Sequence, residues 1–399
     1  MITEPCVQGL DDTDLYKESV RKAYLAKYPG VEGVFQFQDR RPHRKYDQYF
    51  LDALNEQIQY IGTLRTEPAT INFLAAKTPW LGKEYLEWLR NWKPDPSMVE
   101  AKVEDGLLDI VVRGPLEDSS PWEIYLMETV SELNFKLIET DWSKDGQREG
   151  FRAKLPLLTQ LDAWSEFGSR RRRDWETQSM VVEESIGQKG FVGSSNIRLS
   201  RLNDMTPKGT YPHEWVQAVS AMESLRYANR FSMKIWQEIF GGWLGTALPD
   251  TFGSDAFLKD FTRALALAFD SVRHDSGDPL EFAEKFIRHY VGLGIDPMTK
   301  TIIFSDNLNP QKCLDIRNAL LGRIRTAFGI GTNLTNDYPG SPALNMVIKL
   351  VKVGGIYVVK LSDTPIKQIG NIDALRVANW IFKNLPLDGM TYGNNKGYR

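Results

Sequence analysis

The stretch Arg273-His-Asp-Ser-Gly-Asp-Pro279 places one arginine and two carboxylates around a glycine turn, between a short run of apolar and small residues and a helical pattern. Asp278 before Pro279 is typical of a helix N-cap with proline at the first helical position. Capping explains Asp278 but neither Arg273 nor Asp275. An arginine beside carboxylates at a strand end suits an anionic substrate and its Mg²⁺ ion, which takes oxygen ligands.

The same succession of short apolar run, polar cluster and helical pattern recurs through the second half of the chain. The clusters follow one another mostly at about 20 to 35 residues, the length of one βα unit. They are Phe167-Gly-Ser-Arg170, Gly193-Ser-Ser-Asn196, Gly209-Thr-Tyr-Pro-His213, Pro249-Asp-Thr-Phe-Gly253, Arg273-His-Asp-Ser-Gly-Asp278, Ser305-Asp-Asn307 and Phe328-Gly-Ile-Gly-Thr332. In a closed parallel barrel all strand carboxyl ends open on one mouth. The sequence therefore predicts an α/β fold with a parallel barrel over residues 151–344 that carries the active site.

The two ends of the chain show a different pattern. Residues 1–150 mix helical patterns with the strand-like run Leu107–Val112, which predicts a separate α+β domain. The polar segment Asp141–Gly150 has the composition of a linker or exposed turn. Two apolar runs flank Gly354-Gly355 and predict a hairpin that returns to this first domain, so that residues from about 345 to 399 join it.

Composition excludes several classes of protein. There are 49 Lys and Arg residues against 52 Asp and Glu, a formal net charge of −3, so no charge excess indicates nucleic acid or a membrane as partner. No apolar run reaches roughly 18 residues, and the acidic start does not resemble a secretory signal. Cys6 and Cys313 are too few for a disulfide framework. We expect a cytoplasmic protein, with nuclear entry and the choice between monomer and homodimer left open.

His213, one of four histidines, stands where a predicted loop enters a predicted helix. The helix is indicated by apolar residues that recur with a period of about 3.6, namely Trp215, Val219, Met222 and Leu225. A lone histidine is more often a packed residue than a catalyst, but this position favours a function. We expect Glu214 to orient the imidazole or set its tautomer, as a nucleophilic or phosphate-accepting histidine requires.

The glycine-rich stretch Phe328-Gly-Ile-Gly-Thr-Asn-Leu334 does not complete a dinucleotide fingerprint. Leu334 stands where the third glycine of G-x-G-x-x-G belongs. Glycine-rich backbone late in a barrel can still present N–H groups to a phosphate. The sequence contains no P-loop motif, so any use of ATP proceeds through other residues.

Arg170 to Arg173 form a run of four consecutive cations. Such a run is commonly a solvated face, and an RNA-binding patch is less compatible with the acidic total. Side chains alternate along a strand, so at most two of the four face the barrel mouth, and we choose Arg170 among them.

These segments, in this order, resemble the nicotinate phosphoribosyltransferase family over nearly the whole chain. The segments that carry the resemblance are Asp12-Thr-Asp-Leu-Tyr-Lys17, Glu166-Phe-Gly-Ser-Arg-Arg-Arg-Arg173, Gly193-Ser-Ser-Asn196, Gly209-Thr-Tyr-Pro-His-Glu-Trp215, Asp250-Thr-Phe-Gly253, Arg273-His-Asp-Ser-Gly-Asp-Pro279, Phe304-Ser-Asp306, Phe328-Gly-Ile-Gly-Thr-Asn333 and Lys360-Leu-Ser-Asp363. The segments around His213, Asp275 and Gly329 are the most specific.

The resemblance implies an irregular α/β barrel, of the type II phosphoribosyltransferase kind, packed on an α/β domain built from both chain ends. It implies the joining of nicotinate to 5-phosphoribosyl-1-diphosphate, which gives nicotinate mononucleotide and diphosphate for NAD salvage. ATP hydrolysis is coupled to this ligase-type reaction through a phosphohistidine, with ATP as co-substrate and Mg²⁺ as cofactor.

The resemblance also implies roles for individual residues. Tyr16 and Phe167 would sandwich the pyridine ring, with Tyr16 supplied by a partner chain in dimeric relatives. The implied substrate-binding set is Tyr16, Phe167, Arg170, Ser195, Asp250, Arg273, Asp306, Gly329, Gly331 and Thr332. In that set the two arginines meet anionic groups, Asp306 holds ribose hydroxyls or hydrated Mg²⁺ together with Asp275, and the glycines cradle the 5-phosphate. The implied catalytic set is His213, Asp275 and Glu214, with His213 phosphorylated and Asp275 bound to Mg²⁺ through the substrate diphosphate.

Ser195 distinguishes an acid from an amide substrate. Related nicotinamide-using enzymes carry aspartate there, which would repel the nicotinate carboxylate, whereas serine can donate to it. Two alternatives stay open: another phosphate-handling barrel enzyme, such as a nicotinamide- or quinolinate-type phosphoribosyltransferase, and an RNA-binding protein that uses the run of arginines.

Overall fold

The computed structural model describes residues 4–40, 45–364 and 367–382. It contains two main sheets, whose strands differ in their pattern of burial. The strand Leu107–Pro115 alternates between buried and more exposed residues, as expected for a sheet with one face on the core. The strand Ser271–His274 is buried at three of its four positions, as expected for a parallel sheet covered on both faces. The protein is therefore a mixed α/β protein with a parallel sheet.

The helices and strands have the following bounds. The helices are α1 Leu15–Lys27, α2 Gln48–Thr63, α3 Pro68–Lys77, α4 Gly82–Asn91, α5 Leu116–Ser119, α6 Trp122–Leu137, α7 Gln147–Arg152, α8 Leu155–Leu158, α9 Trp175–Ser185, α10 Ile197–Leu202, α11 His213–Met222, α12 Ala228–Phe240, α13 Ser254–Asp260, α14 Arg263–Ala268, α15 Pro279–Gly292, α16 Pro310–Leu320, α17 Thr332–Thr335 and α18 Ile372–Phe382. The strands are β1 Glu32–Asp39, β2 Val99–Glu104, β3 Leu107–Pro115, β4 Trp164–Glu166, β5 Phe191–Ser194, β6 Thr246–Ala247, β7 Ser271–His274, β8 Thr301–Phe304, β9 Arg325–Ile330, β10 Asp337–Tyr338, β11 Ser341–Pro342, β12 Met346–Val353 and β13 Ile356–Tyr357. No helix in the described part of the chain is both long and apolar enough to cross a membrane.

The antiparallel sheet takes strands from both ends of the chain, in the order β13-β12-β1-β3-β2. β12 pairs with β1 from Gly33 opposite Val353 to Asp39 opposite Met346. Gly354 and Gly355 have φ values of 53° and 82°, which is the left-handed backbone that a tight hairpin turn requires. The predicted hairpin and its return to the first part of the chain are confirmed, while the division into domains at residues 150 and 345 stays a prediction.

The parallel sheet has the strand order β5-β4-β9-β8-β7-β6, and every ladder in it is parallel. Its strands therefore end at one edge, as the recurring polar clusters predict. A closed barrel is not confirmed, because no ladder joins the edge strands β5 and β6 within the described ranges.

The predicted strand through the run of four arginines is wrong. Ser169–Arg171 form one 3-10 turn, and Arg172 and Arg173 are fully buried. The Arg172 guanidinium donates to both carboxylate oxygens of Asp12 at 2.8 and 2.9 Å and to Glu132 at 3.0 Å. Arg173 packs its guanidinium over aromatic rings of the core. These two arginines are thus structural, and they are not available as a solvated face or an RNA-binding patch.

Replacement of Arg172 tests this buried ion cluster. Arg172→Met leaves Asp12 and its neighbouring carboxylates buried without their cation, so we expect a loss of about 3–5 kcal/mol in the free energy of unfolding. Arg113→Met is the matched control, because Arg113 pairs with Glu100 on the surface, where such a pair contributes roughly 0–1 kcal/mol. Urea unfolding followed by circular dichroism measures both, and equal stability of the two variants would contradict the structural role.

Candidate active site

Most of the residues predicted for the site lie at the carboxyl edge of the parallel sheet. Phe167 follows β4, Ser195 follows β5, Asp275 follows β7 and Asp306 follows β8. His213 is the first residue of α11, as predicted. The sheet topology therefore gathers side chains that are far apart in the sequence, which is the arrangement expected at strand ends of an α/β fold.

His213 lies among two aspartates and a lysine. Its Nε2 is 3.1 Å from Asp275 Oδ2 and 3.4 Å from Asp250 Oδ1, and Nδ1 is 3.0 Å from Thr251 Oγ1. The Lys360 ammonium lies 2.8 Å from Nε2 and also contacts Asp250 at 3.0 Å and Asp275 at 3.5 Å. One cation thus holds three acceptors of the site together.

His213 Nε2 lies between a donor and an acceptor. The Lys360 ammonium, which can only donate, is 2.8 Å away, and the Asp275 carboxylate, which can only accept, is 3.1 Å away, so the role of Nε2 depends on which ring nitrogen carries the proton. Burial lowers the pKa of His213, and the neighbouring Lys360 charge lowers it further. The imidazole is therefore neutral at physiological pH.

Asp275 is the carboxylate that joins His213 to the neighbouring strand. Its Oδ1 accepts from Arg273 Nη2 at 3.0 Å and from the Ser305 hydroxyl at 3.2 Å. Arg273, His213 and Lys360 hold the pKa of Asp275 well below its ordinary value, although burial opposes this shift. Asp275 therefore stays ionised in the site.

Asp306 faces the same region from the end of β8. Its Oδ1 pairs with Lys367 Nζ at 2.5 Å, and Lys367 also donates to the backbone oxygen of Asp275 at 2.9 Å. The side chains of Asp275 and Asp306 each keep 22% exposure, so both carboxylates are accessible to a ligand. Asp250, in contrast, is buried beside Lys360 and Ser276, where it holds its neighbours in place.

Ser195 makes a contact that the sequence did not predict. Its hydroxyl donates to Asp14 Oδ1 at 2.7 Å, and the Ser169 hydroxyl donates to the same oxygen at 2.8 Å. A substrate carboxylate can accept from Ser195 only if this bond to Asp14 is exchanged. The predicted role of Ser195 in recognising the acid stays a prediction.

Tyr16 and Arg170 share one buried carboxylate, that of Glu123. The Tyr16 hydroxyl donates to Glu123 Oε2 at 3.4 Å, and Arg170 Nη1 lies 3.6 Å from Oε1. Lys17 pairs with Oε2 at 2.7 Å and Lys349 with Oε1 at 3.2 Å. Glu123 thus fixes the positions of four groups around it.

The predicted phosphate loop packs against Phe167. A Cβ atom at Gly329 would overlap the Phe167 ring, and one at Gly331 would lie 3.1 Å from the Phe167 carbonyl oxygen. Gly329 therefore leaves no room for a side chain in this arrangement, whereas a Cβ at Gly331 would require a shift of a few tenths of an ångström. Thr332 begins the short helix α17 directly after them.

The prediction that Glu214 orients His213 is wrong. The Glu214 carboxylate accepts from Lys17 at 2.8 Å and from the Ser120 hydroxyl at 2.5 Å, on the side of α11 that faces α1 and α5. Consecutive residues at the start of a helix point in different directions, so adjacency in sequence did not bring the two side chains together. Thr251, Asp275 and Lys360 fix the imidazole instead.

Several residues of the site escaped the sequence analysis. Lys360 lies in one of the segments that carry the family resemblance. Its positive charge was the only feature of the sequence that could have indicated a role in the site. The others, Asp14, Glu123, Lys349 and Lys367, are charged residues whose roles depend on long-range packing.

The cluster of His213, Asp250 and Asp275 does not fit a directly bound metal ion. Their potential ligand atoms lie within 4.8 Å of one another, but the Lys360 ammonium contacts all three of them. Asp275 and Asp306 are accessible carboxylates, and carboxylate oxygens are of the kind that a hydrated Mg²⁺ ion takes.

Comparisons with known proteins identify the family to which this chain is similar. The model of the nicotinate phosphoribosyltransferase (NAPRTase) family matches residues 163–385, and that of the NAPRTase N-terminal domain matches residues 12–131. A nicotinate phosphoribosyltransferase of Methanosarcina mazei is 40% identical over 96% of this chain and 100% of its own length.

Two crystal structures of nicotinate phosphoribosyltransferases are similar to this fold. The Porphyromonas gingivalis structure has a TM-score of 0.91 and 35% identity, over 94% of this chain and 100% of that chain. The Vibrio cholerae structure has a TM-score of 0.90 and 32% identity, over 97% and 96%. With relatives of this similarity along nearly its whole length, the chain belongs to the nicotinate phosphoribosyltransferase family of enzymes.

Proposed function

We propose that this chain transfers the phosphoribosyl group of 5-phosphoribosyl-1-diphosphate to nicotinate, and that ATP hydrolysis through a phosphohistidine drives the reaction. The observation that carries the proposal is that a neutral histidine, accessible carboxylates and several cations lie together at the carboxyl edge of the parallel sheet. We also propose that the parallel sheet is the family's irregular α/β barrel, packed on a domain that residues 1–150 build together with the chain from residue 345 on, of which 383–399 lie outside the described residues. The enzyme acts in the cytoplasm as a monomer or homodimer.

The transfer step needs the ring nitrogen to be positioned and the leaving group to be neutralised. Displacement at the anomeric carbon develops positive charge on the ribosyl ring while diphosphate leaves with the bonding electrons. Tyr16 and Phe167 hold the flat pyridine ring, and Gly329, Gly331 and Thr332 bind the 5-phosphate.

Charged residues act on the other groups of the phosphoribosyl substrate. Arg273 and Lys367 stabilise the departing diphosphate, while Asp275 and Asp306 orient the ribose hydroxyls. Mg²⁺, when bound with the diphosphate, supplies positive charge near those carboxylates.

The ATP step uses the lone pair of His213. A ring nitrogen forms a bond to the γ-phosphorus, the bond from that phosphorus to the bridging oxygen breaks, and ADP leaves with the electron pair. Water later cleaves the phosphoimidazole and releases phosphate. Attack through Nε2 requires the tautomer with its proton on Nδ1, and the Lys360 ammonium, 2.8 Å from Nε2, then donates to a phosphate oxygen instead. The added phosphate charge then reorganises the cations of the mouth.

The reaction itself is tested by release of diphosphate. With purified enzyme, phosphoribosyl diphosphate, Mg²⁺ and ATP, we expect nicotinate to support diphosphate release and mononucleotide formation far better than nicotinamide, because the site presents several cations. Chromatography of the products identifies the nucleotide. Equal rates with both bases, or none with nicotinate, would contradict the proposed substrate.

Substitutions of Asp275 and Asp278 distinguish a catalytic aspartate from one that caps a helix. Asp278 accepts from the backbone N–H groups of Leu280 and Glu281, so Asp278→Asn should retain the fold and most of the activity, since asparagine caps nearly as well. Asp275→Asn should keep the melting temperature within a few degrees but lower kcat roughly 100-fold or more, through loss of a charge in the mouth. A fully active Asp275→Asn enzyme would refute the assignment.

His213→Asn separates the two half-reactions. Transfer of the phosphoribosyl group needs no phosphoryl acceptor, so this variant should lose ATPase activity and stimulation by ATP while slow, ATP-independent mononucleotide synthesis remains. In the unmodified enzyme, γ-labelled ATP should leave acid-labile label on the peptide that contains His213. Label on another peptide, or undiminished stimulation in the variant, would assign the role to a different residue.

A further inference from the structure

Lys349 is a cation of the site to which neither the sequence motifs nor the proposed mechanism gives a role. It lies on β12, the strand that returns to β1, and its Nζ is 3.2 Å from Glu123 Oε1. Arg170 lies 3.6 Å from the same oxygen, and the Tyr16 hydroxyl donates to the other one. Lys349 is therefore held beside Tyr16, which is assigned to the pyridine ring, and Arg170, which is assigned to an anionic group of the substrates.

Three cations contact Glu123 directly, and Asp14 and Asp275 act on one of them, Arg170, from farther away. Lys17, which is fully buried, pairs with both Glu123 at 2.7 Å and Glu214 at 2.8 Å. Together with Lys349 and Arg170, three cations therefore meet two carboxylates. Burial and the repulsion of Arg170 and Lys360 lower the pKa of Lys349 to about 8, although Glu123 opposes the shift. An added anion would relieve this repulsion.

Exposure decides which of the three cations can meet a ligand. The Lys17 side chain is 0% exposed, whereas Lys349 keeps 21% and Arg170 keeps 32%. Lys349 and Arg170 are thus the cations of this group that a small anion can reach.

The surroundings of Ser195 are less suited to an anion. Ser195 donates its hydroxyl proton to Asp14, and a substrate carboxylate placed there would face the Asp14 carboxylate. Like charges brought together without solvent oppose binding. A substrate carboxylate is therefore favoured beside the cations Lys349 and Arg170 rather than beside Ser195.

We propose that Lys349, together with Arg170, binds the carboxylate of the pyridine substrate and selects an acid over an amide. This inference rests on the proposed transfer to nicotinate and adds a specificity-determining residue to it. The carboxylate accepts from both cations, while Glu123 keeps its pair with Lys17.

Lys349→Met tests the proposal by removing the charge while keeping a side chain of similar length. We expect the KM for nicotinate to rise roughly 10- to 100-fold, as for a lost hydrogen bond to a charged group, while the Kd of nicotinamide changes less than about twofold. The KM for phosphoribosyl diphosphate should stay unchanged. Lys349→Arg keeps the charge and should restore most of the nicotinate affinity.

Lys352→Met is the matched control, because Lys352 lies on the same strand with its ammonium over the Tyr357 ring. It should leave all three constants unchanged. Lys349→Gln provides a second neutral variant, and melting curves verify that each variant is folded; Glu123 retains Lys17 in all of them.

Three results would overturn the role of Lys349 while leaving the proposed function intact. Nicotinate and nicotinamide affinities that fall together would indicate a general change of the pocket. A rise confined to the KM for phosphoribosyl diphosphate would assign Lys349 to the diphosphate. Unchanged nicotinate affinity in folded neutral variants would exclude any role. Failure of the unmodified enzyme to use nicotinate would instead refute the proposed function itself.

Discussion

The antiparallel pairing of β12 with β1 is the constraint on which the site depends. It places the late strand β12, with β13 on its outer side, beside β1 in a sheet whose other three strands come from residues before 116. Lys349 lies within that strand, and Lys360 follows shortly after the hairpin. The contacts of Lys349 with Glu123 and of Lys360 with His213 therefore depend on a ladder that belongs to the other sheet. Loss of this pairing would remove charge from the mouth while leaving the parallel strands in place.

Buried ion clusters connect the early helices to the strand ends. Arg172 joins Asp12 to Glu132, and Lys17 joins Glu123 to Glu214. Removal of one partner leaves a buried charge uncompensated, which is costly in a medium of low dielectric constant. These clusters therefore restrict the position of α1, whose first turn carries Tyr16.

The sequence predicted the parts of the fold that local pattern determines. The helix that begins at His213, the Asp278 cap and the glycine hairpin follow from periodicity and turn chemistry, and the structure has all three. The placement of polar residues at strand ends also follows from the parallel arrangement. The run of arginines was misjudged because charge alone does not reveal that Asp12 and Glu132 lie opposite Arg172 in the interior.

The side-chain partners of the site could not be predicted, since they come from distant parts of the chain. Glu214 was assigned to His213 by adjacency, whereas the helix directs it toward Lys17. The ammonium of Lys360, 147 positions away in sequence, contacts His213 instead. Only the packing of the two sheets brings such pairs together, and no local sequence pattern predicts that packing.

A crystal structure of the enzyme with nicotinate mononucleotide tests most directly whether both ends of the chain build the substrate site. The account places the pyridine ring between Tyr16 and Phe167, with its carboxylate about 3 Å from Lys349 Nζ and from the Arg170 guanidinium. A carboxylate that instead accepts from Ser195, with Lys349 still paired only with Glu123, would contradict it.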